Sequence, residues 1–444
     1  MVNIKILYTI FFLLCFNSLS WGQLFKYRLQ DNTGSTNEIP SLEPLGPLAR
    51  PADLLVNGLH YYNGDSTFSV GSVGLWTVLP EYNFVDGFWI GHTLESKYVL
   101  SKKTSLEAEA KLYYSTARQK FIWQTELAYN YSPYKVGRLK LRAGRLSADY
   151  DTEDHVDRLE SSLYTLILGL NNIRFYEKHH VTLENSVYTI TGFRLYQSLN
   201  LERRSMLKNN TTFSFLNLGR ESNVPKNPSF RPMPHSLALT GSLGFDYTFL
   251  MDRDEEMNSQ EIVYSNFPTI SFKYVFGLPV GTVNRSQFNY LEAYVNQRFR
   301  FRYNSTLDYK FGGGGFVNQE NLYFPDFKHF GSYSLPTIHT FTEDGYFLLD
   351  NYEADTNEHW IRASFNYLSP KLLLTQIDWL RRNNFTEGLH FRYLHTPKVR
   401  HHSEWAYVIG FKNWARVGLT VGLRGARYHN IGFTFSLPLL SSYY

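Results

Sequence analysis

The chain has 444 residues, a formal net charge of +4 and an aromatic content of 17%. So small a charge on so long a chain argues against a nucleic-acid-binding protein, which concentrates basic residues on one face. The only cysteine, Cys15, excludes a disulfide framework and a thiolate metal site.

The first residues have the pattern of a secretory signal peptide. Lys5 supplies a positive charge, residues 6–16 form an apolar run, and Ser20 and Gly22 flank Trp21 at a cleavage site before Gln23. We therefore predict a signal peptide over residues 1–22 and an exported protein. No run of 18 apolar residues follows, so no membrane helix is expected. The proline-rich stretch 23–67 is predicted to be a periplasmic lead-in, followed by a barrel domain over 68–444.

Apolar and polar side chains alternate from Leu106 to Tyr131. One face of the first run carries leucine, alanine and tyrosine while the other carries Glu107, Glu109 and Lys111. A period of two predicts strands, because successive side chains of a strand point to opposite faces. A strand of about ten residues with one aromatic-rich apolar face is the repeat unit of an outer-membrane β-barrel. A soluble β-sandwich also alternates and is the alternative.

The same alternation recurs over most of the chain. So many alternating strands are difficult to accommodate in one soluble domain. We predict an all-β, transmembrane, antiparallel outer-membrane β-barrel of about 14–16 strands. Two segments break the period, since leucines over 159–170 follow helical spacing and 372–382 is apolar without alternation. Short helices are expected there. Polar stretches over 151–157, 217–234 and 252–260 are predicted to be external loops, and an aromatic strand over 431–437 closes the domain.

Basic side chains lie on one face of two predicted strands. In a barrel this face would line the lumen, where the side chains would favour the passage of anions. Glu107, Glu109 and Glu126 are expected on the same wall and would weaken the positive field. The predicted lumen-facing basic residues are Arg138, Lys140, Arg142, Arg298, Arg300 and Arg302.

The segment from Phe324 to Phe330 combines an acid, a base and a histidine within four positions. Asp326 and His329 could transfer protons in a polar site. The alternative is a packed loop in which Asp326 caps a turn and His329 bonds to the backbone. The four-glycine run 312–315 lacks the lysine and helix that a phosphate-binding loop requires, so it predicts close backbone approach in a strand. The histidine pairs 179–180 and 401–402 are not expected to bind a metal, since neighbouring strand residues face opposite ways.

Several blocks of the chain resemble a family of outer-membrane barrel domains of unknown function found in Bacteroidota. The resemblance extends over roughly residues 84–437 and rests on ordered blocks at 162–166, 175–178, 202–207, 324–330, 347–353 and 393–397. It implies location and architecture but no reaction. Members usually carry a carboxypeptidase-regulatory-like domain before the barrel, and the predicted lead-in is too short to form one. The resemblance marks five charged loop residues as functional candidates: Asp326, Lys328, His329, Asp350 and Glu353.

Two classes of function fit these observations. The first is a pore or transport-related barrel in the outer membrane. The second is a plugged barrel that serves as an assembly, export or surface-interaction factor, with the blocks around Phe324 and Phe347 folded inward. An enzyme is not expected because no catalytic set is found. The expected partners are outer-membrane lipid and other envelope proteins, with no nucleic acid, metal or other cofactor.

Overall fold

The structure is a computed structural model that describes residues 58–65, 67–73, 81–101, 104–132, 136–151, 156, 158–219, 221–249, 267–281, 285–301, 305–332, 345–383, 385–411 and 415–436. The predicted signal peptide, the loop over 252–260, Arg302 and the end of the closing strand lie outside these residues. Eighteen strands are described: β1 (His60–Tyr62), β2 (Phe68–Ser72), β3 (Tyr82–Asn83), β4 (Gly87–Ser101), β5 (Thr104–Ser115), β6 (Lys120–Ser132), β7 (Gly137–Asp149), β8 (Phe175–Ile190), β9 (Phe193–Met206), β10 (Ser236–Thr248), β11 (Thr269–Leu278), β12 (Gln287–Arg300), β13 (Thr306–Asn321), β14 (His359–Ser369), β15 (Phe385–His395), β16 (His402–Phe411), β17 (Ala415–Arg424) and β18 (Arg427–Ser436).

Neighbouring strands pair in antiparallel register along the chain. The ladder runs from β1 to β2, from β2 to β4, and then through each successive strand to β18, while β3 pairs with the start of β4. Sixteen of the described strands have five residues or more, and β1 and β3 are shorter. The prediction of an antiparallel all-β fold is confirmed, but the described residues form eighteen strands and not the predicted 14–16. The sheet begins at His60, within the segment predicted as a lead-in.

The sheet curls into a barrel around its own connections. The side chain of Tyr352 bonds to Asp149 at the end of β7, with an O–O distance of 2.7 Å, and the next residue, Glu353, forms an ion pair with Arg424 at the end of β17. In a flat sheet β7 and β17 would lie roughly 48 Å apart, at about 4.8 Å per strand. Adjacent residues can contact both only if the sheet curves around them.

The two faces of the wall differ as the alternation predicts. On β7, β8 and β9 the register places Leu141 opposite Leu183 and Leu183 opposite Leu199, and all three are exposed on the outside. The intervening residues point inward and are mostly polar. The outer face is therefore a band of exposed leucine, valine and aromatic side chains, which a water-soluble sheet would bury.

The connections at the two ends of the barrel differ in length. At one end several neighbouring strands are joined by five residues or fewer, as at 102–103, 133–136, 191–192, 301–305 and 412–414. At the opposite end, which we call the long-loop end, the connections include residues 150–174, 207–235 and 322–358. In outer-membrane barrels the long loops are extracellular and the short turns periplasmic.

Short helices form where the periodicity breaks. Helix α1 (Arg158–Leu168) lies in the first long connection, and helix α2 (Asp378–Arg382) follows a 3-10 turn over Leu374–Gln376. The carboxylate of Glu387 accepts hydrogen bonds from the backbone amides of residues 372–374 and so fixes this turn. Both helices match their predicted positions. No helix of the described residues is long and apolar enough to cross a membrane.

The glycine run lies within β13, as predicted, and its members face alternate sides. A Cβ atom on Gly314 would lie 2.6 Å from the backbone oxygen of Leu291, and one on Gly312 would lie 2.2 Å from the ring of Tyr294. A Cβ on Gly313 would make only an ordinary contact. Close approach therefore requires glycine at the inward positions of this strand.

The apolar core lies inside the long-loop end. One described part of the connection from β13 to β14, residues 322–332, packs through Phe324 and Phe327 against Tyr176 of β8. The other part, residues 345–358, packs through Leu349 against Trp360 of β14. We call these two parts together the plug.

Candidate functional site

The plug and the wall around it form the candidate site. Asp326 lies at the end of a 3-10 turn and is almost fully buried, with its carboxylate 2.6 Å from the Nη1 atom of Arg204 on β9. Arg204 also pairs with Glu202, at 2.7 Å, and Glu202 with Lys178, at 2.6 Å. The inward positions of β8 and β9 thus carry a chain of alternating charges that ends on the plug. Each buried charge is compensated by a neighbour, as burial requires.

Asp326 also stabilises its own turn. Its second carboxylate oxygen accepts hydrogen bonds from the Ser286 hydroxyl, at 2.7 Å, and from the Tyr323 backbone amide, at 3.3 Å. With both oxygens engaged, Asp326 acts here as an anchor between the plug and the wall.

Lys328 forms a second anchor on another part of the wall. Its Nζ atom lies 3.3 Å from Glu292 on β12 and 5.6 Å from the centre of the Trp360 ring. Tyr290 donates a hydrogen bond to the same glutamate at 2.8 Å and accepts one from the Trp360 indole at 2.9 Å. An ammonium group between a carboxylate and an aromatic face is held by both.

His329 is buried inside the plug. Its Nδ1 atom lies 2.6 Å from Asp355, whose other oxygen accepts the backbone amide of Phe330 at 2.9 Å. Burial alone would lower the pKa of His329, but the charge and hydrogen bond of Asp355 outweigh burial and raise it above its ordinary value. Asp326 and His329 therefore have separate partners and are not brought together as an acid and a base.

Tyr352 joins the plug to the long connections. Its hydroxyl donates to Asp149 and accepts the backbone amide of Arg174 at 2.8 Å. Burial and the nearby Asp149 carboxylate raise the pKa of Tyr352 well above its ordinary value, so its hydroxyl keeps its proton at neutral pH. The Asn227 side-chain amide donates to the carbonyl oxygens of Tyr352 and Asp355, at 2.6 and 3.0 Å.

A third contact with the wall holds the end of the plug. Glu404 on β16 accepts the backbone amides of Phe347 and Leu348 at 2.8 and 2.9 Å, and it lies 2.9 Å from the Nε2 atom of His402. The guanidinium of Arg392 lies 4.2 Å from the centre of the Phe347 ring.

The remaining loop candidates lie where the plug meets the solvent. Glu353 pairs with Arg424, and its carboxylate also accepts the backbone amide of Asp350 at 3.3 Å. The side chain of Asp350 is exposed. Of the five candidates, Asp326, Lys328 and His329 are buried and anchor the plug, whereas the other two lie at its rim.

The predicted basic stripe lies on the inner wall beside acidic partners. Arg138 pairs with Glu107, at 3.1 Å, and Arg142 with Glu184, while Lys140 lies 3.7 Å from Glu126. Farther round the barrel Arg298 pairs with Asp308 at 2.6 Å, and Arg300 follows in the last position of β12. The side chains of Arg138, Lys140 and Arg142 are 31–39% exposed, so this part of the lumen is accessible to water.

The chemistry available to the site is that of ion pairs and hydrogen bonds that hold a loop in place. Within the described residues, no group of three or more histidine, cysteine, aspartate or glutamate side chains is arranged to hold a metal ion. The Nε2 atom of His329 and the hydroxyl of Tyr150 are buried without a hydrogen-bond partner in the described structure.

Residues 52–409 match the C-terminal domain of a family of unknown function, DUF5686. The chain belongs to this family. This confirms the resemblance to an uncharacterised family, and several of the blocks that carried it meet at the plug. Arg204 contacts the block at 324–330 through Asp326, while the Tyr346 hydroxyl donates to the carbonyl oxygen of Tyr393 at 3.1 Å.

Two solved structures are similar to this chain. The first is BamA from Haemophilus ducreyi lacking POTRA domains 1–3, with a TM-score of 0.42 and 9% identity, and the similarity covers 80% of this chain and 68% of that one. The second is CdiB from Acinetobacter baumannii, with a TM-score of 0.38 and 10% identity over 78% of this chain and 56% of that one. No curated protein sequence matches the chain.

Sequence reasoning did not find the partners of the plug. Glu292, Asp355 and Glu404 lie far along the chain from the residues that they hold, and no local motif marks them. One signal was present, because Glu292 is an acidic residue between Tyr290 and Tyr294 on the same face of its strand.

Proposed function

We propose that this chain is an integral outer-membrane barrel whose own plug keeps the lumen closed, and that it serves envelope assembly, export or surface interaction. One observation carries the proposal: the plug is anchored on the wall at Arg204 of β9, Glu292 of β12 and Glu404 of β16. These strands lie well apart around the barrel. A loop held on several sides by buried ion pairs and amide bonds obstructs diffusion through the lumen.

The location is part of the same proposal. The exposed apolar outer face and the polar inner face suit a barrel that spans a lipid bilayer. The signal-like sequence over residues 1–22 would direct export, and the long-loop end would face the cell exterior. The partners would be outer-membrane lipid and other envelope proteins, and no enzymatic step is part of the proposal.

The first experiment measures the conductance of the purified, detergent-folded protein in a planar bilayer. We expect no steady open level for the wild-type protein. The double variant Asp326→Asn/Lys328→Met removes two anchors and should produce frequent or lasting openings. The matched control is Arg298→Gln, which breaks an exposed ion pair of the inner wall away from the plug and should stay closed. A steady open level in the wild-type protein would contradict the proposal.

A transport-related pore is the second candidate. The exposed charges on the inner wall near the short-turn end favour it. If the plug leaves during transport, Arg138, Lys140 and Arg142 would line the path. In the opened double variant, Arg138→Glu should then reduce the preference for anions measured in a salt gradient. An unchanged reversal potential would argue that the stripe does not line a conducting path.

A further inference from the structure

Two arginines and a histidine lie in one row on the outer face of the wall, at the long-loop end. The register places Arg145 of β7 opposite His179 of β8, and His179 opposite Arg203 of β9. Directly paired residues of neighbouring strands point to the same side of a sheet. The three side chains therefore form one cluster, which we call the outer cationic row.

The residues below this row are apolar. Two positions nearer the short-turn end the same three strands carry Ala143, Val181 and Leu201, and the last two are exposed. The next outward positions carry leucine on all three strands. In a membrane barrel, a row of charges on the long-loop side of an apolar band lies at the depth where lipid headgroups meet acyl chains.

The charge of the cluster is positive. Glu177 pairs with both Arg145 and Arg118, each at 2.7 Å, and Arg118 also contacts Asp86 at 3.2 Å. The Nε2 atom of His179 lies 3.8 Å from the same glutamate. With Arg118 and its partners included, three guanidinium groups face two carboxylates, and Arg203 is exposed.

We infer that the outer cationic row binds the phosphate group of a phosphorylated glycolipid in the outer leaflet, with its acyl chains along Val181 and Leu201. A guanidinium binds phosphate through paired, charge-assisted hydrogen bonds. The apolar band below accepts the chains, so headgroup and tail are recognised by adjacent rows of one surface. This site lies on the outside of the barrel; it rests on the proposed location in the outer membrane, with the long-loop end outward, and goes beyond the function proposed for the plug.

The test measures binding of a phosphorylated disaccharide lipid to the full chain in detergent by native mass spectrometry. The variant Arg203→Gln should weaken binding about five- to tenfold, because it removes the exposed charge of the row. The matched control is Arg427→Gln, an exposed arginine at the long-loop end on β18, and it should bind as the wild-type protein does.

Two further ligands separate the possible sources of the phosphate. The phosphate-free form of the same lipid should bind the wild-type protein as weakly as the phosphorylated lipid binds Arg203→Gln. Inorganic phosphate should not compete at concentrations that saturate the lipid. Equal binding to wild type and Arg203→Gln would overturn the inference, as would equal binding of the phosphate-free lipid or competition by free phosphate.

Discussion

At the scale of single residues, the plug is held by buried charges that have all been given partners. Removing the Asp326 carboxylate would leave the Arg204 guanidinium facing Glu202 alone, in a site that excludes water. Breaking such a pair costs more than the pair contributes, because one charge remains buried without compensation. The same reasoning applies to Lys328 and Glu292, so these contacts position the plug as well as stabilise it.

The ion pair between His329 and Asp355 predicts a dependence of stability on pH. The pKa of His329 is raised in the folded state, so its contribution is fully present below its ordinary value of about 6.5 and is lost as pH rises through the folded pKa. His329→Gln should lower the free energy of unfolding by on the order of 3 kcal/mol at pH 6. The difference in the free energy of unfolding between wild type and variant should shrink as the pH is raised from 6 through the folded pKa. Denaturant unfolding at several pH values measures it.

An exposed histidine at the start of β14 provides the control for this prediction. His359→Gln should shift stability little at any pH, since its side chain is open to solvent. A gap between wild type and His329→Gln that widened on the alkaline side would contradict the assigned ion pair.

At the scale of elements, each strand presents one face to the outside of the barrel and one to the lumen. Leu141 and Lys140 are neighbours on β7, with Leu141 exposed on the outer face and Lys140 beside Glu126 on the inner face. Leu141→Arg should reduce the free energy of unfolding by about 2–4 kcal/mol if it lies near the bilayer midplane. Lys140→Ala should cost less than about 1 kcal/mol, because exposed ion pairs contribute little. Equal losses in lipid vesicles would contradict the assignment of the two faces.

The glycine run of β13 permits a second test at this scale. Gly314→Ala places a Cβ atom 2.6 Å from a backbone oxygen of β12, so the strands must separate, and we expect a loss of about 1–3 kcal/mol. Gly313→Ala on the opposite face meets its nearest atom at 3.4 Å and is the matched control. The thermal unfolding midpoint measures both, and a loss confined to Gly313→Ala would refute the packing described here.

At the scale of the whole molecule, the plug and the barrel wall around it form one structural unit. Two adjacent plug residues, Tyr352 and Glu353, bind β7 and β17. They therefore connect distant parts of the wall. A barrel leaves few free strand edges that could pair with other chains.

This closure predicts the behaviour of the protein on a denaturing gel. Unboiled samples should migrate differently from boiled ones, because the closed sheet resists the detergent until it is heated. The variant Asp326→Asn/Lys328→Met should convert to the boiled form at a lower temperature than the wild-type protein. Identical migration before and after boiling would argue against a closed barrel.

The strands, their two faces and the positions of both short helices could be predicted from the sequence. These features depend on local periodicity, since a period of two or 3.6 residues appears in any short window, as in residues 106–131 and 158–168. The family blocks also marked Asp326, Lys328 and His329 before their surroundings were known.

The roles of those residues depend on contacts between distant parts of the chain. Asp326 meets Arg204 across 122 positions of the chain, and Tyr352 meets Asp149 across 203. Such pairs depend on how the sheet closes and on how a loop folds into it, and no local pattern records either. The outer cationic row likewise exists only because the register brings Arg145, His179 and Arg203 side by side.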